Sequence, residues 1–243
     1  MNRRKFLVKG AAALASPRRL PQLFDGQTVS IGDRGFFLSD IVVPTRNRLA
    51  GGGEPGANFS LTALQQTLSK GILGDAKDLI TDRWGRLSGP VGWVTGEKLT
   101  TLQELLLEAG AARVFPQSTA FDFIDRYLTV EAKARKEQKG NWCLPDWKIR
   151  SANDVRLLRG FQIWRGPVAS VGGRGSRVYV NFGADYRTDL TATVTRGEMR
   201  GWRTKIDGEL AGANVELRGV AVRINGPSVE LRHELQLRRI EQN

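Results

Sequence analysis

Residues 25–45 constrain this chain most tightly. Asp25-Gly26-Gln27-Thr28 leads into Val29–Ile31, a turn follows at Gly32-Asp33-Arg34-Gly35, and Phe36–Val43 runs on to Pro44-Thr45. Two β-type runs joined by a glycine-bearing turn predict a hairpin. Glycines 51–53 and 56 mark a flexible loop after it. Leu61, Leu64, Leu68 and Ile72 then recur at helical spacing, which predicts a helix over 61–71 with Ser60 as its cap. Asp78–Arg83 and Gly89–Val94 read as short strands. Leu99, Leu102, Leu105, Leu106 and Ala109 predict a second amphipathic helix ended by Gly110. A third, rich in Ala, Lys, Arg and Glu, is expected over about 118–138 and stops at Gly140-Asn141-Trp142.

Four segments in this order resemble the staphylococcal (thermo)nuclease family, over about residues 24–145. The first is the hairpin, where the family reads roughly D-G-D-T and then R-L-x-x-I-D-x-P-E. The second is Asp82-Arg83-Trp84-Gly85-Arg86, and the third is Leu105 to Val114 with Gly110-Ala111-Ala112-Arg113. The fourth is Glu131-Ala132-Lys133-Ala134-Arg135-Lys136 to Gly140-Asn141-Trp142. The resemblance implies a mainly β fold with packed helices, a five-stranded OB-type barrel, over residues 23–146. It also implies phosphodiester hydrolysis on a calcium ion held by two aspartates and a backbone carbonyl. A glutamate would orient water and two arginines would neutralise developing charge.

The matching positions of this chain depart from that set. Gln27 stands where the second aspartate of D-G-D-T belongs, Phe37 where the strand arginine belongs, Val42 at the metal aspartate and Thr45 at the glutamate. Arg86 is the one clear catalytic match. Asp25 and Thr28 match secondary positions of the frame. Calcium takes six to eight oxygen ligands, and neither Val42 nor Phe37 supplies one. Asp40, two residues before Val42 and thus on the same face of a continuous strand, is a candidate for a displaced metal site with Asp25. Glu54 is a weaker one. Arg83 and Trp84 beside Arg86 suit a base and a phosphate by stacking and charge, although the same residues read equally as a core tryptophan with two solvated arginines.

Trp147–Asp154 reads as a linker into a second domain, 147–243. Five alternating segments lie beyond it, at Phe161–Val171, Arg177–Phe182, Leu190–Val194, Val215–Val222 and Val229–Leu235, and predict a second small OB-like barrel. Arg174, Arg177, Tyr179 and Tyr186 interleave cations with aromatics there and are candidates for single-stranded nucleic acid, although alternating aromatics are as often core.

Net charge is +12, and residues 1–24, 25–153 and 154–243 carry +6, +1 and +5 of it. Basic ends suit a polyanion. Much of the first excess belongs to residues 1–22, where Arg3-Arg4-Lys5-Phe6-Leu7 and Ala13-Leu14-Ala15 are similar to a twin-arginine export leader with its cleavage site. The expected location is periplasmic or secreted. One cysteine, Cys143, and one histidine, His233, leave no intrachain disulfide, His-Cys zinc site or Ser-His triad to consider. No run of apolar residues is long enough for a transmembrane helix. Three functions stay open: a binding module for nucleic acid or an envelope protein partner with no cofactor, a calcium nuclease with a displaced metal site, and a purely structural protein.

Overall fold

The structure, a computed structural model, describes residues 22–23, 27–31, 34–46, 53–69, 79–95, 98–154, 156 and 160–240. Residues 1–21 of the expected leader, and Asp25, lie outside the described residues.

The N-terminal half holds β1 (Gln22–Leu23), β2 (Thr28–Ile31), β3 (Arg34–Leu38), β4 (Ile41–Val42), α1 (Ala57–Ser69), β5 (Ile80–Thr81), β6 (Leu87–Gly89), β7 (Gly92–Thr95), β8 (Lys98–Thr101), α2 (Leu102–Glu108), β9 (Arg113–Val114) and α3 (Phe121–Lys136). Five strands order β1-β2-β3-β6-β5, and β4 with β9 and β7 with β8 form two ribbons. The expected hairpin is β2–β3, paired Thr28 to Phe37 and Ile31 to Arg34. Its second strand breaks at Ser39–Asp40, where Asp40 takes a φ of 63°, so β4 leaves to pair with β9 instead.

The helices cover the inner face of these strands. Leu64, Leu68, Leu102, Leu106, Leu107, Ile124 and Tyr127 meet Val29, Leu38, Ile41 and Val114 in one core. Thr101 caps α2 through a reciprocal pair with Glu104, which satisfies two helix-end donors at once. Gly110 ends it at a φ of 69°, and a Cβ there would lie 2.1 Å from the Lys139 carbonyl oxygen, so only glycine fits. Helix α1 begins earlier than its leucine spacing suggests. Ser60, expected as the cap, sits inside the helix and donates to the Ala111 carbonyl at 2.5 Å.

The C-terminal half holds β10 (Arg150–Ser151), β11 (Phe161–Pro167), β12 (Ser170–Arg174), β13 (Arg177–Asn181), β14 (Thr191–Thr195), α4 (Arg196–Met199), β15 (Asn214–Ile224), β16 (Gly226–Glu230) and β17 (Leu237–Arg239). The expected second barrel is instead an open eight-stranded sheet, β10-β11-β15-β16-β14-β13-β12 with β17 on β15. The long strand β15 pairs with β11 and β17 along one part and with β16 along the rest, which spreads the strands rather than returning β12 to β11. One face buries Val178, Val180, Ala192, Val194, Ala221 and Val229.

The expected linker is not free. Trp147 is 2% exposed, meets Trp142 edge-on at 5.3 Å and donates from its indole nitrogen to the Pro55 carbonyl. Beyond it, Arg150–Ser151 joins β11 as a parallel strand. Trp142, Trp147, Ala134, Phe161 and Ile163 form a third apolar cluster that bridges the halves.

A buried ion cluster completes the joint. Arg218 on β15 donates to both carboxylate oxygens of Glu131 on α3, to the Val114 carbonyl, and to Glu216. Glu216 also takes Arg165 at 2.6 Å and Arg135 at 3.4 Å. Burial works against the Arg218 charge, but the two carboxylates outweigh it and hold the proton more firmly than usual. Burial alone would raise the Glu216 carboxyl; Arg218, Arg135 and Arg165 instead bring it down to about 2. His233 adds a contact across the joint. Its Nδ1 accepts from Leu235 N–H, so its proton sits on Nε2 and faces the Ser118 carbonyl at 2.9 Å.

Breaking a buried ion pair strands its partner, at a cost of about 3–5 kcal/mol. Arg218→Ala should lower the unfolding free energy by that amount in urea titrations. The folded-state Glu216 carboxyl titrates below its unfolded value of about 4.3, so its contribution is present above that pH and lost as pH falls toward 2. Unfolding free energy measured from pH 5 to 2 should therefore fall less steeply in Glu216→Gln than in the wild type.

Candidate functional site

The loop between β5 and β6 builds the one place where the matched catalytic residue sits. Asp82 Oδ1 accepts from the backbone N–H of Trp84 and of Arg86, each at 2.9 Å, and Gly85 turns the chain at a φ of 76°. This short carboxylate-centred turn sends the Arg86 side chain back over the β2–β3 hairpin. Its Nε donates to Asp82 Oδ2 at 2.7 Å and its Nη1 to Thr28 Oγ1 at 2.9 Å. The guanidinium carbon lies 4.6 Å from the Phe37 ring centroid and 4.9 Å from that of Trp84. Thr28 and Phe37 are direct cross-strand partners, so one pair of positions offers Arg86 a hydroxyl and a π face. Nη2 has no hydrogen-bond partner among the described residues, and Arg86 remains about a quarter exposed.

Trp84 is not a core residue. It is 64% exposed, with Arg83 over its ring at 3.9 Å. Arg83, Trp84 and Arg86 thus form a cluster of two cations and an exposed ring on the surface, next to Thr28. Such a group can take a base on the ring and a phosphate on the guanidinium edge.

The other positions of the nuclease frame have structural tasks. The Gln27 amide nitrogen donates to the Ile41 carbonyl at 2.7 Å and the Leu38 carbonyl at 3.2 Å, closing the turn between β3 and β4. A neutral amide, its nitrogen held by two carbonyls, therefore stands where the frame has a carboxylate. Val42 packs on the cluster that contains Trp142, Trp147, Phe161 and Ile163. Thr45 donates its backbone N–H and its hydroxyl to Glu54 Oε2, at 2.7 and 3.3 Å. Glu54 thus brings a carboxylate to the position of the missing glutamate, but uses it to tie Thr45 to the segment before α1.

Asp40 does not point along a strand toward Val42, because residues 39–40 form a turn. It is 1% exposed, and its carboxylate accepts from Gln117 N, Ser118 N, Ser118 Oγ and Ser39 Oγ. Three of these bonds tie Asp40 to the segment before α3 rather than leaving it turned toward Val42. Among the described residues, no three of His, Cys, Asp and Glu are grouped to hold a metal. The residues present at Gln27, Val42 and Asp40 do not fit a calcium ion.

In the second half, Arg174 pairs with Arg177 across β12–β13, and Tyr179 lies two residues on. These three share one face of the sheet, opposite its core. Arg177 is 3.9 Å from Glu230. Tyr186 stands apart, on the loop before β14, 57% exposed with Arg187 at 5.6 Å. Phe182 belongs to the core.

Sequence reasoning missed Arg113. This residue pairs with Val42 across β4–β9 and is 8% exposed. Its guanidinium lies over Trp147 at 4.4 Å and Phe161 at 5.0 Å. Burial lowers its pKa to about 10. A lone arginine between Ala112 and Val114, on a strand otherwise apolar, was the available signal.

Gln27→Asp tests the structural reading of the frame. The shorter, acceptor-only side chain abandons two carbonyls, so it should lose about 1–3 kcal/mol of stability in chemical denaturation, with or without calcium.

Comparison with known proteins agrees with this frame. A family model described as Staphylococcal nuclease homologue matches residues 36–143. The "Probable endonuclease LCL3" of Komagataella phaffii (strain GS115) is 32% identical over 111 residues, 43% of this chain. The match spans about half of that relative, 47% of its length. Residues 36–143 of this chain thus resemble the staphylococcal nuclease family, whose domain is OB-fold-like.

Proposed function

We propose that this protein binds single-stranded nucleic acid through its nuclease-like domain and does not cut it by calcium chemistry. The observation that carries the reading is Gln27, whose amide donates to the Ile41 and Leu38 carbonyls where an acidic ligand would be needed. Phe37, Val42 and Thr45 are engaged in the same way, by Arg86, by the joint cluster and by Glu54. What survives of the family's apparatus is the part that holds substrate: Arg86 with Thr28, next to the exposed Trp84 and Arg83.

Phosphate contact by Arg86 and stacking on Trp84 would give binding that is tolerant of sequence and sensitive to salt. The outer sheet face with Arg174, Arg177 and Tyr179 offers a second strip for the same strand, with Tyr186 on the loop beside it. The leader-like residues 3–15 support a periplasmic or secreted location, where an envelope protein partner is a further candidate. No helix among the described residues is long and apolar enough to cross a membrane.

The alternative is an active nuclease with a displaced metal site at Asp25 and Asp40. The endonuclease-named relative and Arg86 favour it; the four hydrogen bonds that occupy Asp40 count against it.

The two separate in one set of measurements. Fluorescence anisotropy with a labelled single-stranded oligonucleotide should show binding that weakens with salt. Trp84→Ala should weaken it about 5- to 150-fold, the equivalent of one stacked base. The same oligonucleotide should stay intact in calcium. Cleavage that Arg86→Ala abolishes would establish the nuclease instead, and salt-insensitive or absent binding would refute the nucleic-acid reading.

A further inference from the structure

The joint between the two halves holds one cation more than its carboxylates can pair. Glu131 is taken up by other donors: Oε1 accepts from Val114 N and Arg218, and Oε2 from Arg218. Glu216 is shared among Arg218, Arg165 and Arg135. Glu54 uses Oε2 on the backbone and hydroxyl of Thr45. Arg113 is left over. Its Nε is buried with no partner, and among the described residues its guanidinium donates no hydrogen bond and makes no ion pair.

Glu131 and Glu54 attract it through charge alone, and a buried charge without hydrogen bonds is costly. The rings of Trp147 and Phe161 offset part of that cost by cation–π attraction. Such contacts engage the faces of a guanidinium. Its five N–H donors lie in its own plane and stay unused. That edge is a planar fork matched to two oxygens of an oxyanion, on a residue that keeps 8% of its surface exposed.

We propose that Arg113 is a recessed binding site for a phosphate group, bounded by Trp147, Phe161 and the neighbouring strand at Val42. The anion supplies the hydrogen-bond acceptors that the protein does not. The site itself does not depend on the function proposed above. The choice of phosphate over other oxyanions does rest on it, since a nucleic-acid strand brings phosphate to this surface.

Thermal unfolding in phosphate and in chloride, at matched pH and ionic strength, tests the site. At phosphate about tenfold above its Kd, the wild-type Tm should rise by roughly 3–6 °C. Arg113→Met should keep its Tm in chloride within a few degrees, because it removes an uncompensated charge, and should gain about a degree or less from phosphate. Trp84→Ala should keep the full phosphate rise even if strand binding is lost, so the two proposals fail separately. Equal rises in wild type and Arg113→Met, or none in either, would overturn the site, and an equal rise in acetate would overturn the phosphate assignment. If Arg113→Met does not fold, Arg113→Lys keeps the charge but not the fork; titration calorimetry with inorganic phosphate should then give a Kd weakened about tenfold or more, and an unchanged Kd would overturn the proposal. A trinucleotide that binds better with a 5′-phosphate than without identifies a strand end as the source. Binding of inorganic phosphate alone identifies the free ion, and both results uphold the site.

Discussion

The guanidinium of Arg218 organises this molecule. It is 2% exposed, lies on the long strand of the C-terminal sheet, and gives its hydrogen bonds to Glu131 on the last helix of the nuclease-like domain, to Glu216 and to the Val114 carbonyl. Both carboxylates are buried, so neither half is electrostatically complete alone. The nuclease-like domain holds an acid on α3 whose cation arrives from a residue 87 positions later. Attraction in a low-dielectric setting is strong only where geometry and hydrogen bonds are complete, and here they are. The docking that results brings Phe161 and Ile163 onto Trp142 and Trp147, covers Val42, and confines Arg113.

Seen from that joint, the replaced catalytic positions are coherent. A cluster of carboxylates held for a metal is self-repelling without the ion, and burying it beside an apolar interface would be costly. The residues at the matching positions of this chain bond to what is already there. Gln27 satisfies two carbonyls of a turn. Phe37 supplies a ring to Arg86, Val42 supplies apolar area to the joint, and Thr45 receives Glu54. Arg86 keeps its place because Asp82 and Thr28 both hold it. The surface cluster around Trp84 is what these contacts leave open to a partner.

Much of this was legible in the residues. The hairpin, the three helices and the end of α2 at Gly110 follow from periodicity and turn chemistry, which are local. The resemblance singled out Arg86, which the structure seats over the β2–β3 hairpin. Failures came where long-range contacts overrode local patterns. Asp40 reads as a strand residue, but its four acceptor bonds to the 115–118 region pull it into a turn. Ser60 reads as a cap, but Asn141 and Ala111 draw it inside the helix. The 147–154 segment reads as a linker because its polar residues hide the task of Trp147. The second barrel reads plausibly from five strands, yet strand count says nothing of which edges meet.

By itself, the sequence determined the hairpin and the three helices of the N-terminal half, which residues stand at the matched positions of the frame, and that its helices present one apolar face. These follow from residue identity and near-neighbour spacing. Only the tertiary structure decided that Trp84 faces solvent, that the C-terminal sheet is open, and that Arg218, Glu131 and Glu216 meet while Arg113 goes unpaired. The reason is physical. Burial and ion pairing are properties of juxtaposition, and the partners here stand between 2 and 87 residues apart along the chain. No local pattern encodes that distance.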